Sequence, residues 1–215
     1  MIGNIFKHFK KICKHKYYVG KYCFKFGLYR QGITHDLSKF NPIEFWTSVK
    51  YYQGNRSPIE AEKEDKGYSN AWLHHFHKNK HHWCYWIDFD MQQNMVAYRM
   101  PYKYALEAIA DYIGANKAYL GNKSTYKTVY EYYRDHIRIS NEISEKIFHF
   151  QTRQLWDTIL TDFVKYGEET TINRIKRGVY EAIYNTITTE DGKFIIYDLD
   201  RYNEIITKYY TKEDN

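Results

Sequence analysis

Cysteine, proline and long apolar runs are all scarce in this chain, which holds 3 Cys and 3 Pro in 215 residues. Cys13, Cys23 and Cys84 form no CxxC pair and cannot all be bridged, which argues against a disulfide framework and against a cysteine-based zinc finger. They are expected to act as small buried hydrophobes. No uncharged apolar run reaches the roughly 18 residues of a membrane span. Met1 to Lys16 interleaves Ile and Phe with Lys where a signal peptide would carry an apolar block. The expectation is a cytoplasmic protein with no membrane partner. Internal repeats and low-complexity linkers are also missing, and the length suits one domain, or one with a small extension, more than two full-size domains.

Rings, by contrast, are abundant: 24 Tyr, 12 Phe and 5 Trp predict a core built largely of aromatic side chains. Some of them are also available for a stacking surface or a homodimer interface. A net charge of +6 favours phosphate-bearing partners. Much of it lies in Lys7, Lys10, Lys11, Lys14, Lys16 and Lys21, which reads as a solvated helix face, with nucleic-acid binding as the alternative.

The patterning is helical. His15, Tyr18, Val19, Tyr22, Cys23 and Phe26 fall on one stripe of a helix from Phe9 to Phe26 that stops at Gly27, so His15 points inward. Asn41-Pro42-Ile43-Glu44 supplies an N-cap, a first-turn proline and an acid three residues on, opening a helix through Tyr52. The charged stretch from Gln53 to Lys66 lacks periodicity and reads as a loop. Helices follow at Tyr68 to Phe76, broken at Asn79, then from Pro101 to Leu120, Thr125 to Arg134 and Glu142 to Tyr166, ended by Gly167. The remainder, 168–215, reads as an extension with a helical stretch, an Asp191-Gly192 turn before strand-like Phe194 to Tyr197, and a last helix after Asp198.

Imidazoles and carboxylates recur along this scaffold: His15, His35-Asp36, His74-His75, His81-His82 and Asp111. Such side chains converging from several helices suit a borderline divalent ion. Each has a plainer reading: His15 as a satisfied core histidine, His35-Asp36 as a hydrogen-bonded pair or cap, some of the 74–82 histidines as surface residues. Asp111 is harder to explain that way. It shares a face with Tyr104, Glu107, Ala108 and Ala115, where a bare carboxylate among small residues calls for a cation.

The order His, His-Asp, His, His, Asp resembles the signature of the HD superfamily of metal-dependent phosphohydrolases. On that resemblance His15, His35, Asp36 and Asp111 hold one ion, and one of His74 or His75 with one of His81 or His82 completes a second. Lys39, in His35-Asp36-Leu37-Ser38-Lys39, is similar to the lysine of the HDxxK variant, near the phosphate. The stretches HDLSKFNPIEF, YYQGNRSPIEA, AWLHHFHKNKHHW and MPYKYALEAIADYIGA resemble a family of HD-type proteins common in gut bacteria and their phages, from about His15 to Tyr166. The implied fold is an all-α, HD-domain-like helical bundle over 1–167 with a small C-terminal appendage over 168–215 that has room for a short strand.

The expected function is hydrolysis of a phosphate ester, a nucleotide or other small phosphorylated metabolite, with one or two divalent ions (Mn, Fe, Co, Ni, Zn or Mg) as cofactor. The expected metal ligands are drawn from His15, His35, Asp36, His74, His75, His82 and Asp111, with Asp36, Lys39, His74 and His82 in catalytic roles. His74 and His82 are the inward pair favoured here. Arg56 and Lys103 are further candidates to grip phosphate. The competing expectation is a non-catalytic, metal-containing regulatory module, or a nucleic-acid binder using the lysine-rich first helix. A coordination shell with open positions separates the enzyme from the former, and binding indifferent to chelation marks the latter.

Overall fold

The computed structural model describes residues 2–137, 147–190 and 193–196. Its helices are α1 (Ile2–Lys25), α2 (Tyr29–Thr34), α3 (Pro42–Lys50), α4 (Pro58–Lys66), α5 (Asn70–Lys78), α6 (Tyr102–Leu120), α7 (Tyr126–Ile137), α8 (Phe150–Lys176) and α9 (Val179–Thr186). Short 3-10 turns cover Leu37–Phe40, Trp83–Trp86 and Gly121–Lys123. Two antiparallel hairpins are the β-structure among the described residues: β1 (Ile87–Phe89) with β2 (Met95–Ala97), and β3 (Ile187–Glu190) with β4 (Lys193–Ile196). The chain is thus mainly α-helical, as its patterning predicts. None of the described helices is long and apolar enough to cross a membrane.

Local signals explain most boundaries. The Asn41 side chain accepts from the Ile43 amide at 3.0 Å, with Pro42 in the first turn of α3. Ser57-Pro58-Ile59-Glu60 repeats that device, and the stretch read as a loop from Gln53 to Lys66 ends in helix α4, capped by Ser57. Its charged residues carry no apolar stripe because α4 lies near the surface, so the periodicity reading failed where the cap pattern would have succeeded.

A core of rings forms as expected: Tyr133, Trp156, Phe163 and Tyr180 are all buried, and the Trp156 indole donates to the Ala105 carbonyl at 2.8 Å. The cysteines differ from expectation, since Cys23 is buried, Cys84 is half-buried and Cys13 is exposed.

The break expected at Gly167 is present: Gly167 has φ 79° and ψ −177°, outside the helical range, so α8 is two helices joined at a kink. After that kink the chain packs back on the other helices as far as Tyr184. Glu168 accepts from Tyr22 at 3.0 Å and also bonds Tyr126 and Lys25. Arg174 and Tyr180 reach back to Asp162 at 2.9 and 2.6 Å, and Ile172, Ile175, Tyr180 and Tyr184 join the common core. The strand expected at Phe194 appears as β4, paired with β3. The turn expected at Asp191-Gly192, the helix after Asp198 and the start expected at Glu142 lie outside the described residues.

Two close approaches position the site. A Cβ on Gly114 of α6 would lie 2.4 Å from the Val19 side chain and 2.9 Å from its backbone nitrogen, so glycine there lets α1 and α6 meet backbone to side. A Cβ on Gly32 of α2 would lie 2.6 Å from the Phe24 ring, and one on Gly20 of α1 would lie 3.2 Å from the Gly32 carbonyl oxygen. Packed this tightly, α2 delivers the turn after it onto the His15 face of α1. Lys16 fastens that turn by donating to the carbonyls of Ile33 (2.6 Å) and His35 (3.0 Å), a role more specific than solvation.

Candidate metal centre

His15 comes from α1, His35 and Asp36 from the turn after α2, His75 from α5, His81 and His82 from the turn after α5, and Asp111 from α6. Asp36 is the hub. It sits in the left-handed region (φ 54°), which aspartate tolerates better than most residues, and it is 1% exposed. Its Oδ2 lies 3.1 Å from His15 Nε2, 3.3 Å from His35 Nε2 and 2.6 Å from Lys39 Nζ. Its Oδ1 faces the other way, 3.3 Å from His75 Nε2 and 3.5 Å from His81 Nε2. Asp111 Oδ1 closes the first side at 3.1 Å from His15 Nε2 and 3.5 Å from His35 Nε2.

Two groups able to hold a metal ion result, His15/His35/Asp36/Asp111 and Asp36/His75/His81/His82, with the donor atoms of each within 4.8 Å of one another. Donors bound to one ion at about 2.0–2.2 Å lie roughly 3–4 Å apart, so these spacings fit. A third group, His35/His81/Glu107, lies on the far side of two of the same rings.

Carboxylates behind the rings set the direction of the lone pairs. His35 Nδ1 donates to Glu107 at 2.9 Å, His81 Nδ1 lies 3.3 Å from the same carboxylate oxygen, and His75 Nδ1 donates to Glu44 at 2.8 Å. A proton on Nδ1 leaves the Nε2 lone pair of a neutral ring aimed at the Asp36 and Asp111 oxygens, an arrangement that repels unless a cation or a proton intervenes. Accordingly His35 Nε2, Asp36 Oδ1, His81 Nε2 and His82 Nε2 are all buried without a hydrogen-bond partner. Four orphaned donor atoms, divided between the two groups that share Asp36, are the observation that fits these residues to an ion.

The electrostatics agree. Burial opposes charge on Asp36, but His35, Lys39 and His75 outweigh it and hold its carboxyl well below the usual range. Asp111 is likewise depressed against its burial by hydrogen bonds from His15 and His35. Burial works against a charged His35 as well, yet Asp36 and Asp111 raise its pKa well above the ordinary value, a pull toward positive charge at the place an ion would occupy. His75 and His82 are lowered, chiefly by burial, and His82 further by His81 and His75, which leaves both in the neutral, ligating form. Lys39 is desolvated but held charged by Asp36 and Asp111. Its side chain is 28% exposed and that of Asp111 is 22%, so the centre opens to solvent on their side.

The structure thus assembles His15, His35, Asp36, Lys39, His75, His82 and Asp111 as the sequence suggested, and departs from it at four points. His74 points away, with Nδ1 2.6 Å from Glu44 and no place in any of the donor groups, so the favoured His74/His82 inward pair is corrected to His75, His81 and His82. His75 follows the buried Ala71 by four residues, a smaller rotation about the helix axis than the three that separate His74 from it. His81, passed over in favour of His82 beside Trp83, lies beyond the end of α5 at Lys78, where helical spacing no longer sets a side chain's direction. Asn79 turns the chain there, donating to the His75 carbonyl at 2.7 Å and to Ser38 at 2.8 Å. Glu107 and Glu44 went unread as partners of the ligand rings. Glu107 sits one turn before Asp111 on a shared face, which was the available signal. Arg56 is occupied by Glu64 at 2.5 Å and Lys103 lies over the Tyr104 ring, so neither reaches the centre.

This arrangement defines a helical protein organised around a buried histidine–carboxylate centre capable of holding metal. Residues 4–162 match the model of the Family of unknown function (DUF5662), and the chain belongs to that family. The searches of curated proteins and of solved structures return no match.

Proposed function

We propose that the protein is a metal-dependent phosphohydrolase of the HD type, acting on a phosphate ester such as a nucleotide or another small phosphorylated metabolite. The observation that carries this reading is the placement of Asp36, one oxygen toward each histidine group, with Lys39 clasping it at the open side. His15, His35, Asp36 and Asp111 would hold one divalent ion, and Asp36, His75, His81 and His82 a second. An ion so bound supplies hydroxide near neutral pH and offsets negative charge on phosphoryl oxygens. Histidine and carboxylate donors suit Mn, Fe, Co, Ni or Zn.

The remaining work falls to the chain itself. Lys39 spends one donor on Asp36 and is partly exposed, so its other donors can take a phosphate oxygen as a point charge. Asp111, partly open to solvent, can orient water entering on that side by accepting a hydrogen bond from it. The partial exposure of both supports a catalytic centre over a closed structural one. His74, turned onto Glu44, has no part at the reacting atoms.

The test is a screen of nucleotides and simple phosphate esters for phosphate release by the purified, ion-loaded protein. Release that stops on chelation and returns with added Mn(II) or Co(II) is expected. An ion-loaded protein that releases phosphate from none of them contradicts the reading.

A further inference from the structure

We infer that Glu107 is a positioning residue shared by both ligand groups, coupling the two halves of the centre by fixing one histidine of each. The inference rests on the metal reading above. One carboxylate oxygen, Glu107 Oε1, lies 2.9 Å from His35 Nδ1 and 3.3 Å from His81 Nδ1. His35 belongs to the group with His15 and Asp111, and His81 to the group with His75 and His82. The two rings lie side by side, centroids 4.4 Å apart and tilted by 34°, so one oxygen reaches both.

Glu107 is 6% exposed, which removes water as a competing partner for either ring. Its carboxylate oxygen faces the Nδ1 atoms of both rings, and a carboxylate oxygen accepts where a ring N–H donates. Both rings are therefore held as Nδ1–H tautomers, and the Nε2 atoms turned inward by that choice are two of the orphaned atoms at the centre. Glu107 also sits one helical turn before Asp111 on α6, so a single rigid helix carries a ligand and the anchor of two others. Glu44 provides the contrast. It holds His75 Nδ1 and, away from the centre, His74, so it supports one ligand of one group.

Loss of the Glu107 charge should therefore loosen two rings, one in each group, whereas loss of the Glu44 charge should loosen only one group. The experiment titrates Mn(II) into chelated wild type, Glu107→Gln and Glu44→Gln by calorimetry, with Co(II) absorption spectra and metal-free thermal unfolding alongside. The expected result is that Glu107→Gln still takes up two ions but binds both about 10- to 100-fold more weakly, with altered Co(II) bands. Glu44→Gln should weaken one ion only. Wild-type affinities in Glu107→Gln with a lowered metal-free melting temperature would reduce the residue to packing and overturn the inference. So would outright loss of one ion with the other unchanged, which would make Glu107 a direct ligand. A wild type that takes up no ion rejects the metal reading itself and this inference with it. Should Glu107→Gln fail to fold, nitrogen NMR of ion-loaded wild type decides: Nδ1–H tautomers at His35 and His81 support the inference, and Nε2–H tautomers overturn it.

Discussion

Asp36→Ala is expected to abolish phosphate release, a fall of at least about a thousandfold, or roughly 4 kcal/mol of barrier, while the helical circular dichroism stays near that of wild type. Each donor group loses its common member, leaving His15, His35 and Asp111 on one side and three histidines on the other. The negative charge that balances Lys39 and His35 goes with it. The fold should survive because its burial comes from elsewhere: Trp156, Phe163, Tyr133 and Ile109 are buried in the core that joins α1 to α6, α7 and α8. Turnover within tenfold of wild type in Asp36→Ala would remove the residue from the chemistry. Loss of helical signal in chelated wild type would instead make the ions structural.

Gly114→Ala tests how the scaffold holds the centre. Alanine is favoured over glycine in a helix by about 1 kcal/mol, which alone would predict a more stable protein. The new Cβ, however, would sit 2.4 Å from Val19 Cγ2 and 2.9 and 3.1 Å from Val19 backbone atoms, and backbone cannot rotate aside. Overpacking of this kind costs about 1–3 kcal/mol, so the clash wins and α1 must move off α6. Val19 lies one turn beyond His15, and Gly114 lies three residues beyond Asp111, so the same movement draws apart two ligands of one group, now 3.1 Å apart. The expected result is a melting temperature lower by several degrees and phosphate release down about tenfold to a hundredfold, since displacements near 1 Å carry penalties of that size. Wild-type melting and turnover together would show that α1 yields without consequence.

What the sequence disclosed follows from which contacts are local. His15 was legible because it lies on the stripe of Val19, Tyr22 and Cys23, all buried. Asp111 was legible because a carboxylate beside Ala108 and Ala115 requires an explanation within its own helix. The cap of α3 could be read from four consecutive residues, and α4 carried the same four-residue form at Ser57 but was masked by its charges. The choices among the histidines of 74–82 were not legible, because after Lys78 the direction of His81 and His82 depends on the Asn79 turn and its bond to Ser38, a contact across 41 positions. Glu44 belonged to the same class of misses. Its acid reads as a helix-start residue, and only the packing of α3 on α5 turns it toward His75. The left-handed backbone of Asp36, which aims its two oxygens at different groups, has no sequence signature beyond aspartate's tolerance of it.

The proposed place of Asp36 between two ions is tested most directly by the electron paramagnetic resonance of protein reconstituted with Mn(II) at known stoichiometry. The account predicts two Mn(II) per chain, magnetically coupled through the shared carboxylate. Fewer than two ions per chain, or two that give the uncoupled hyperfine pattern of isolated Mn(II), would contradict it.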